Sequence, residues 1–262
     1  MLVVFSDLDG TLLDHDTYDY TPALEAVAFL KQHAMPLILV SSKTLPEMKG
    51  IHSGMGLSSP YIFENGGGIV WPGTPDRVEY LGLDVSALKA ERKLIDAEIG
   101  EPVQFITDMK PEEIAARTGL SLEKALLAQQ RLTSLPFVLG SGRNIGLEEL
   151  ERINDSLRKN GFSMTRGGRF YHFLSSRSDK GQAINRVIDY YRKKGGGPVT
   201  TMGIGDSEND ISMFKTVDIP VVVRKKDGAC IETGINTIRK TRGIGPEGFS
   251  EAIFSFAADP AD

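Results

Sequence analysis

Asp7 and Asp9 are the first residues of this chain that could do chemistry, two positions apart in Asp7-Leu8-Asp9-Gly10-Thr11. Two carboxylates so spaced converge if the chain turns between them, and Gly10 permits the turn. One could then attack phosphorus while the other hands a proton to the departing oxygen. Taken alone, the same tetrapeptide reads as well as an Asx turn with solvated side chains. A second acidic motif, Gly205-Asp206-Ser207-Glu208-Asn209-Asp210, lies near the other end of the chain. Asp206 and Asp210 would bring oxygen ligands to a hard cation such as magnesium. Helix capping by Asp206 or Ser207 is compatible with that use.

Two weaker elements join them. Ser41-Ser42-Lys43-Thr44 follows an apolar run, and a hydroxyl with free N–H groups at a helix start can hold phosphate oxygens. Many such serines only cap helices. Asp179-Lys180-Gly181 places a lysine at a helix start, where it opposes the helix dipole. It is either a point charge for phosphate or a solvated surface lysine.

The elements that must position these residues follow from the apolar pattern. Residues 2–6, 36–40 and 61–63 are short apolar runs suited to buried parallel strands. Helices are expected over 23–34, with Thr21 as N-cap and Pro22 in the first turn, and over 45–55. From about Trp71 to Leu174 the pattern changes. Helical stretches (86–99, 112–131, 147–160) mix with strand candidates (103–106, 137–140, 162–165, 169–174), the last two flanking Gly167-Gly168 as a hairpin. Helix, strand, helix and strand then resume over 180–194, 199–204, 207–215 and 217–223, with a loop at 193–198 and a closing helix over 247–258. The fold class is α/β: a Rossmann-like parallel-sheet core with an inserted α+β cap. Both acidic motifs then fall at carboxyl ends of strands, where open α/β sheets bind ligands.

The four motifs in this order, Asp7-x-Asp9-Gly10-Thr11, Ser42, Lys180 and Gly205-Asp206-x-x-x-Asp210, resemble those of the haloacid dehalogenase superfamily of phosphatases. The resemblance implies that Asp7 is the nucleophile and carries a phosphoaspartate, that Asp9 is the acid/base, and that Ser42 and Lys180 hold the phosphoryl group. It implies Mg2+ bound by Asp7, the backbone carbonyl of Asp9, and Asp206, with Asn209 and Asp210 in support. It also implies a catalytic core of residues 1–72 and 179–262 and a cap of residues 73–178. Within that superfamily, residues 40–44, Glu64-Asn65-Gly66-Gly67, residues 167–172 and Gly245-Pro246-Glu247-Gly248-Phe249 resemble the mannosyl-3-phosphoglycerate phosphatase family, which releases mannosylglycerate, a compatible solute. Many of its members carry an acid between Ser134 and Pro136, where this chain has Leu135; loss of that acid is expected to loosen discrimination among sugars.

Candidate substrate contacts are Lys43, Asn65, Gly167, Gly168, Arg169, His172 and Asn209. Arg169 and the Gly167-Gly168 N–H groups could bind a carboxylate; the alternative is a Gly-Gly hairpin with solvated arginines. A regular strand would point Arg169 and His172 to opposite faces. His172 itself is either a ligand group or a satisfied sheet histidine. Cys230 is the only cysteine, which excludes an internal disulfide and a multi-cysteine metal site. A net charge of −5 argues against a general nucleic-acid surface. No apolar run approaches a membrane span and no secretory leader is evident, so a cytoplasmic enzyme is expected, monomeric or weakly homo-oligomeric. Its substrate would be a small phosphorylated sugar or sugar-glycerate. Related sugar phosphatases (glucosyl-3-phosphoglycerate, sucrose phosphate, hexose phosphate), a phosphomutase and a non-enzymatic binding module are the competing readings.

Overall fold

The computed structural model describes residues 1–195 and 197–256. In chain order its elements are β1 (Leu2–Ser6), α1 (Leu24–Gln32), β2 (Leu37–Val40), α2 (Leu45–Gly54), β3 (Tyr61–Phe63), β4 (Gly68–Trp71) and β5 (Arg77–Tyr80). Then come α3 (Val85–Ala90), α4 (Arg92–Ile99), β6 (Val103–Phe105), α5 (Pro111–Thr118), α6 (Leu122–Ala128), β7 (Ser134–Leu139), α7 (Leu147–Lys159), β8 (Phe162–Arg166) and β9 (Tyr171–Ser175). The chain ends with α8 (Lys180–Gly195), β10 (Thr200–Gly205), α9 (Ile211–Phe214), β11 (Ile219–Arg224), β12 (Arg239–Ile244) and α10 (Gly245–Phe256).

The larger sheet has eight strands in the order β12-β11-β10-β1-β2-β3-β4-β5. It is parallel from β12 to β3 and antiparallel from β3 to β5. β1 is apolar throughout because both faces are covered. Leu2 and Val4 pack with α1, α2 and α10 through Val27, Met48 and Ile253, while Val3 and Phe5 pack with α8 and α9 through Ile184, Val187 and Met213. The smaller sheet is antiparallel, in the order β6-β7-β9-β8. Leu135 and Phe137 of β7 and Tyr171 and Phe173 of β9 share one face with Ile95 and Ile153 from α4 and α7. Pro136 and His172 pair on the opposite face.

Several boundaries differ from expectation, each for a local reason. Thr21 does not cap α1. It opens a 3-10 turn, and its hydroxyl donates to Asp19 Oδ1 at 2.7 Å. The helix expected over 112–131 is two helices, because Gly119 turns left-handed at φ 74° and Ser121 caps a new start. The stretch 86–99 also breaks, at Glu91. The stretch 207–215 is a 3-10 turn followed by the single short helix α9. α8 runs through Lys193 and Lys194, where the expected helix and loop overlapped, and on to Gly195, expected in the loop; Gly196 and the expected end of the closing helix at 257–258 lie outside the described residues. β5 (Arg-Val-Glu-Tyr) and β12 (Arg-Lys-Thr-Arg-Gly-Ile) were not anticipated. Both are sheet edges, where charged side chains replace the apolar signal. The hairpin strand begins at Tyr171, so Arg169 belongs to the turn and not to a strand. The expected start of the cap at residue 73 falls inside the larger sheet, which runs on through Tyr80.

Beyond Tyr80 one buried acid is a main tie between the base of the smaller sheet and the core. Glu64 lies directly after β3 at φ 49°, an uncommon left-handed conformation for a non-glycine residue. Its carboxylate accepts from Leu132 N, Thr133 N and Ser134 Oγ at 2.7–2.8 Å and from Thr133 Oγ1 at 3.3 Å. The junction leaves no room for side chains: a Cβ on Gly67 would lie 1.9 Å from Thr133 Oγ1, and one on Gly66 2.2 Å from the Asp179 carbonyl oxygen. Glu64→Ala would strand these donors in a dry interface, and we expect a loss of about 2–4 kcal/mol in unfolding free energy by denaturant titration. A change below about 0.5 kcal/mol, the ordinary scale of surface substitutions, would show that the acid does not bear the junction.

Candidate active site

Gly10 has φ 83°, and this left-handed turn bends the chain directly after β1. Gly10 N donates to Leu13 O and Leu13 N to Leu8 O, closing the turn. A Cβ at Gly10 would stand 2.7 Å from Asp206 Oδ2, so the missing side chain is what lets the second acidic motif close on the first. Gly205 serves the same end, since a Cβ there would meet Asp210 Cγ at 2.5 Å. Asp7, Asp206 and Asp210 are all buried, and each offers a carboxylate oxygen within 4.8 Å of the others.

Lys180 is not solvated. Its side chain is 1% exposed, and Nζ donates to Asp7 Oδ1 and Asp210 Oδ1, both at 2.6 Å. Asp179 caps α8 by accepting from Gln182 N, which fixes the lysine at the helix start. Asp210 Oδ2 accepts from the N–H groups of Asp206 and Ser207, so both of its oxygens are engaged. Asp7 Oδ2 and Asp206 Oδ2 have no hydrogen-bond partner among the described residues. Asp9 pairs through Oδ2 with Lys43 Nζ at 2.8 Å, while its Oδ1 is buried without a partner. Asn209 accepts from Ser207 Oγ and donates to Asn65 Oδ1 at 3.2 Å, and Asn65 N donates to Ser41 O. The Ser41–Thr44 loop, the Glu64-Asn65 turn and the Asp206–Asp210 loop are thus one connected unit.

Above these groups lies a cavity of about 600 Å3 between the two sheets. Its walls include Asp7, Asp9, Ser42, Lys43, Asp206 and Asn209 from the core, and Gly167, Gly168, Arg169 and His172 from the cap. Of the expected contacts, only Asn65 is set back, bonded to Asn209 instead of lining the wall.

The family profile of the haloacid dehalogenase-like hydrolases matches residues 4–80 and 137–233. This chain belongs to that family. A Persephonella marina protein named glucosyl-3-phosphoglycerate/mannosyl-3-phosphoglycerate phosphatase is 32% identical, covering 97% of this chain and 96% of the relative. A Methanococcoides burtonii protein of the same name is 34% identical, covering 96% and 95%. The fold resembles a solved phosphatase of the haloalkanoate superfamily from Bacteroides thetaiotaomicron, with a TM-score of 0.69 at 18% identity over 97% of this chain and 94% of that one. Like its relatives, this haloacid dehalogenase-like hydrolase is a phosphoric monoester hydrolase.

Arg169 sits where sequence spacing does not place it. From the hairpin tip its Nη1 donates to Tyr18 Oη at 3.1 Å and its Nη2 to His15 O at 3.2 Å, with Asp16 3.8 Å away. It therefore bridges cap to core. Gly168 lets the hairpin approach His15, whose ring would lie 3.1 Å from a Cβ there, and Gly167 N is spent on Phe170 O. Because Arg169 is in the turn, it and His172 both line the cavity despite being three residues apart. Burial, and then the charges of Arg131 and Lys180, push His172 down to about 3, so the ring is neutral at working pH. Its Nδ1 is buried without a partner. Leu135 is fully buried in the cap core and does not line the cavity, so the loss of an acid there is not a loss of substrate contact.

Sequence reasoning missed three residues. Tyr18 accepts from Arg169 and lies under Lys43 Nζ, 5.0 Å from its ring centroid. Glu64 was noticed only as part of a motif. Arg131, which donates to Ser42 O at 2.7 Å, was hidden inside an expected helix.

Burial raises Asp7 to about 7; Lys180 opposes the shift, and Asp210 adds to it. Asp206 is raised for the same first reason, with Asp7 the next cause. A cation among these oxygens would relieve what burial and repulsion impose, so the donor set fits a hard divalent ion. Metal-free, the raised Asp7 makes folding take up a proton. Its contribution to stability is complete below about pH 4 and is lost as pH rises through about 7. In chelator, the wild type should therefore lose unfolding free energy across that window relative to Asp7→Asn, which cannot titrate there. Parallel pH–stability curves for the two proteins would contradict this assignment.

Proposed function

We propose that the chain is a magnesium-dependent phosphatase that removes the phosphate of glucosyl- or mannosyl-3-phosphoglycerate through a phosphoaspartate on Asp7. The observation that carries this reading is the pairing of buried Lys180 with Asp210 and with Asp7, which lines a cavity large enough for a glycosyl glycerate. The names of relatives matched over nearly the whole chain supply the substrate class.

Each residue has a task that its surroundings permit. Lys180 holds Oδ1 of Asp7, leaving Oδ2 to attack phosphorus. The ester oxygen leaves with a proton from Asp9, whose Oδ1 is unpaired and whose Oδ2 is steadied by Lys43. Asp9 then takes a proton from the water that attacks the phosphoaspartate, releasing phosphate and restoring Asp7. Ser42 and Lys180 hold the phosphoryl oxygens. Asp7, Asp206 and the Asp9 carbonyl would hold Mg2+, with Asp210 and Asn209 orienting the loop around it. The ion, when bound, offsets the repulsion between anionic nucleophile and anionic ester.

Phosphate release from both glycosyl-3-phosphoglycerates, beside hexose and sucrose phosphates, tests the reading. The glycerate esters should have the highest kcat/KM, chelator should abolish turnover, and Mg2+ should restore it. Asp7→Asn should lower kcat by about a thousandfold or more with folding intact. A hexose phosphate as the preferred ester would remove the substrate assignment, and ordinary turnover by Asp7→Asn would remove the covalent one.

A further inference from the structure

In a 2-O-glycosyl-3-phosphoglycerate the carboxylate and the phosphate sit on the two carbons flanking the one that bears the sugar. A cation that reads the carboxylate must therefore lie close beside the groups that hold the phosphoryl oxygens. Among the cations that line the cavity, Lys43 is paired with Asp9, Lys226 is paired with Asp14 and Asp16, and Arg169 is bonded to Tyr18 and His15. Arg166 lies over the Tyr171 ring, 6.0 Å from its centroid. Arg224, whose Nε is buried without a partner, and Lys225 also line the cavity from the core end of β11, but among the described residues no hydrogen bond ties either to the Ser41–Thr44 loop.

Arg131 is different. It stands in the segment between α6 and β7 and lines the cavity. Its Nε donates to Ala128 O at 2.8 Å and its Nη1 to Ser42 O at 2.7 Å. Both partners are neutral carbonyls, so the guanidinium charge is aimed but not compensated. Its Nη2 has no partner among the described residues. The bond to Ser42 fixes it on the very loop assigned to the phosphoryl group. His172, which also lines the cavity and feels the Arg131 charge, carries a buried and unpartnered Nδ1.

We propose that Arg131 is a specificity-determining residue that binds the glycerate carboxylate of the substrate, with the unpartnered His172 Nδ1 available beside it. This rests on the phosphoglycerate reading above. The sequence had offered Arg169 for the task; here Arg169 closes cap on core, and its loss should affect all esters alike.

A matched pair of substrates isolates the carboxylate: 2-O-glucosyl-3-phosphoglycerate and 2-O-glucosylglycerol 3-phosphate, which has CH2OH in place of COO−. Wild type should prefer the first. Arg131→Met should cut kcat/KM on the glycerate ester by about ten- to a hundredfold more than on the glycerol ester, the scale of one charge-assisted contact. Arg131→Lys, which keeps the charge but loses the fork, should lower the preference by a smaller factor, about three- to tenfold, and serves if the Met variant folds poorly. Arg169→Ala should leave the ratio of the two esters unchanged. Equal losses on both esters in the Arg131 variants, or a selective loss in Arg169→Ala, would overturn the inference while leaving the phosphatase reading in place. A wild type that does not hydrolyse the glycerate ester would overturn both.

Discussion

A single buried ammonium organises this molecule. Lys180 reaches from the first turn of α8 to the end of β1 and to the loop after β10, and meets a carboxylate at each. Desolvating three charges is not a source of stability, because the interior must repay the loss of hydration. What the pairing supplies is placement. Asp7 is held by one oxygen with the other left free, and Asp210 is turned so that its second oxygen gathers the Asp206 and Ser207 amides. The glycines around the site follow from this crowding. Gly10, Gly205 and Gly181 occupy points where a Cβ would strike Asp206, Asp210 and the Ser212 carbonyl, respectively.

The rest of the architecture connects that fixed centre to the cap sheet above it. Glu64 ties the base of the cap sheet to the core, and its neighbour Asn65 bonds Asn209 in the Asp206–Asp210 loop. One left-handed dipeptide thus touches the cap and the acidic cluster together. A second set of contacts joins cap to core where Arg169 bonds Tyr18, whose hydroxyl also donates to Thr118 O in the cap. A substrate held between these contacts is enclosed on the core side by acids and lysines and on the cap side by Arg131 and a neutral His172. That asymmetry suits an ester with one end to be attacked and another to be recognised.

The core was legible because its chemistry is local. Asp7, Asp9, Asp206 and Asp210 each follow an apolar strand by a few residues, and parallel strands bring their carboxyl ends to one edge. The cap was legible only as composition. Its helices break at Gly119 and Glu91, and the end of α6 at Ala128 leaves Arg131 in a loop beside Ser42. Periodicity carries no information about such a contact, since the partner is a backbone carbonyl almost ninety positions away. The strand expected from Arg169 begins at Tyr171, because the Gly-Gly turn extends two residues further. β5 and β12 escaped because edge strands suppress the apolar signal on which strand recognition depends. Leu135 drew attention through family comparison alone, and its burial among Phe137 and Phe173 assigns it to packing.

The central claim is that the ester is cleaved in two displacements through Asp7, with Lys180 and the acidic loop holding the nucleophile for the first of them. The stereochemical course at phosphorus tests it most directly. With a glycosyl-3-phosphoglycerate made chiral at phosphorus by oxygen isotopes and sulfur, turnover in isotopically labelled water should give inorganic thiophosphate with overall retention of configuration, the product of two in-line inversions. Overall inversion would mean that water attacks the ester directly, and would contradict a phosphoryl group resting on Asp7.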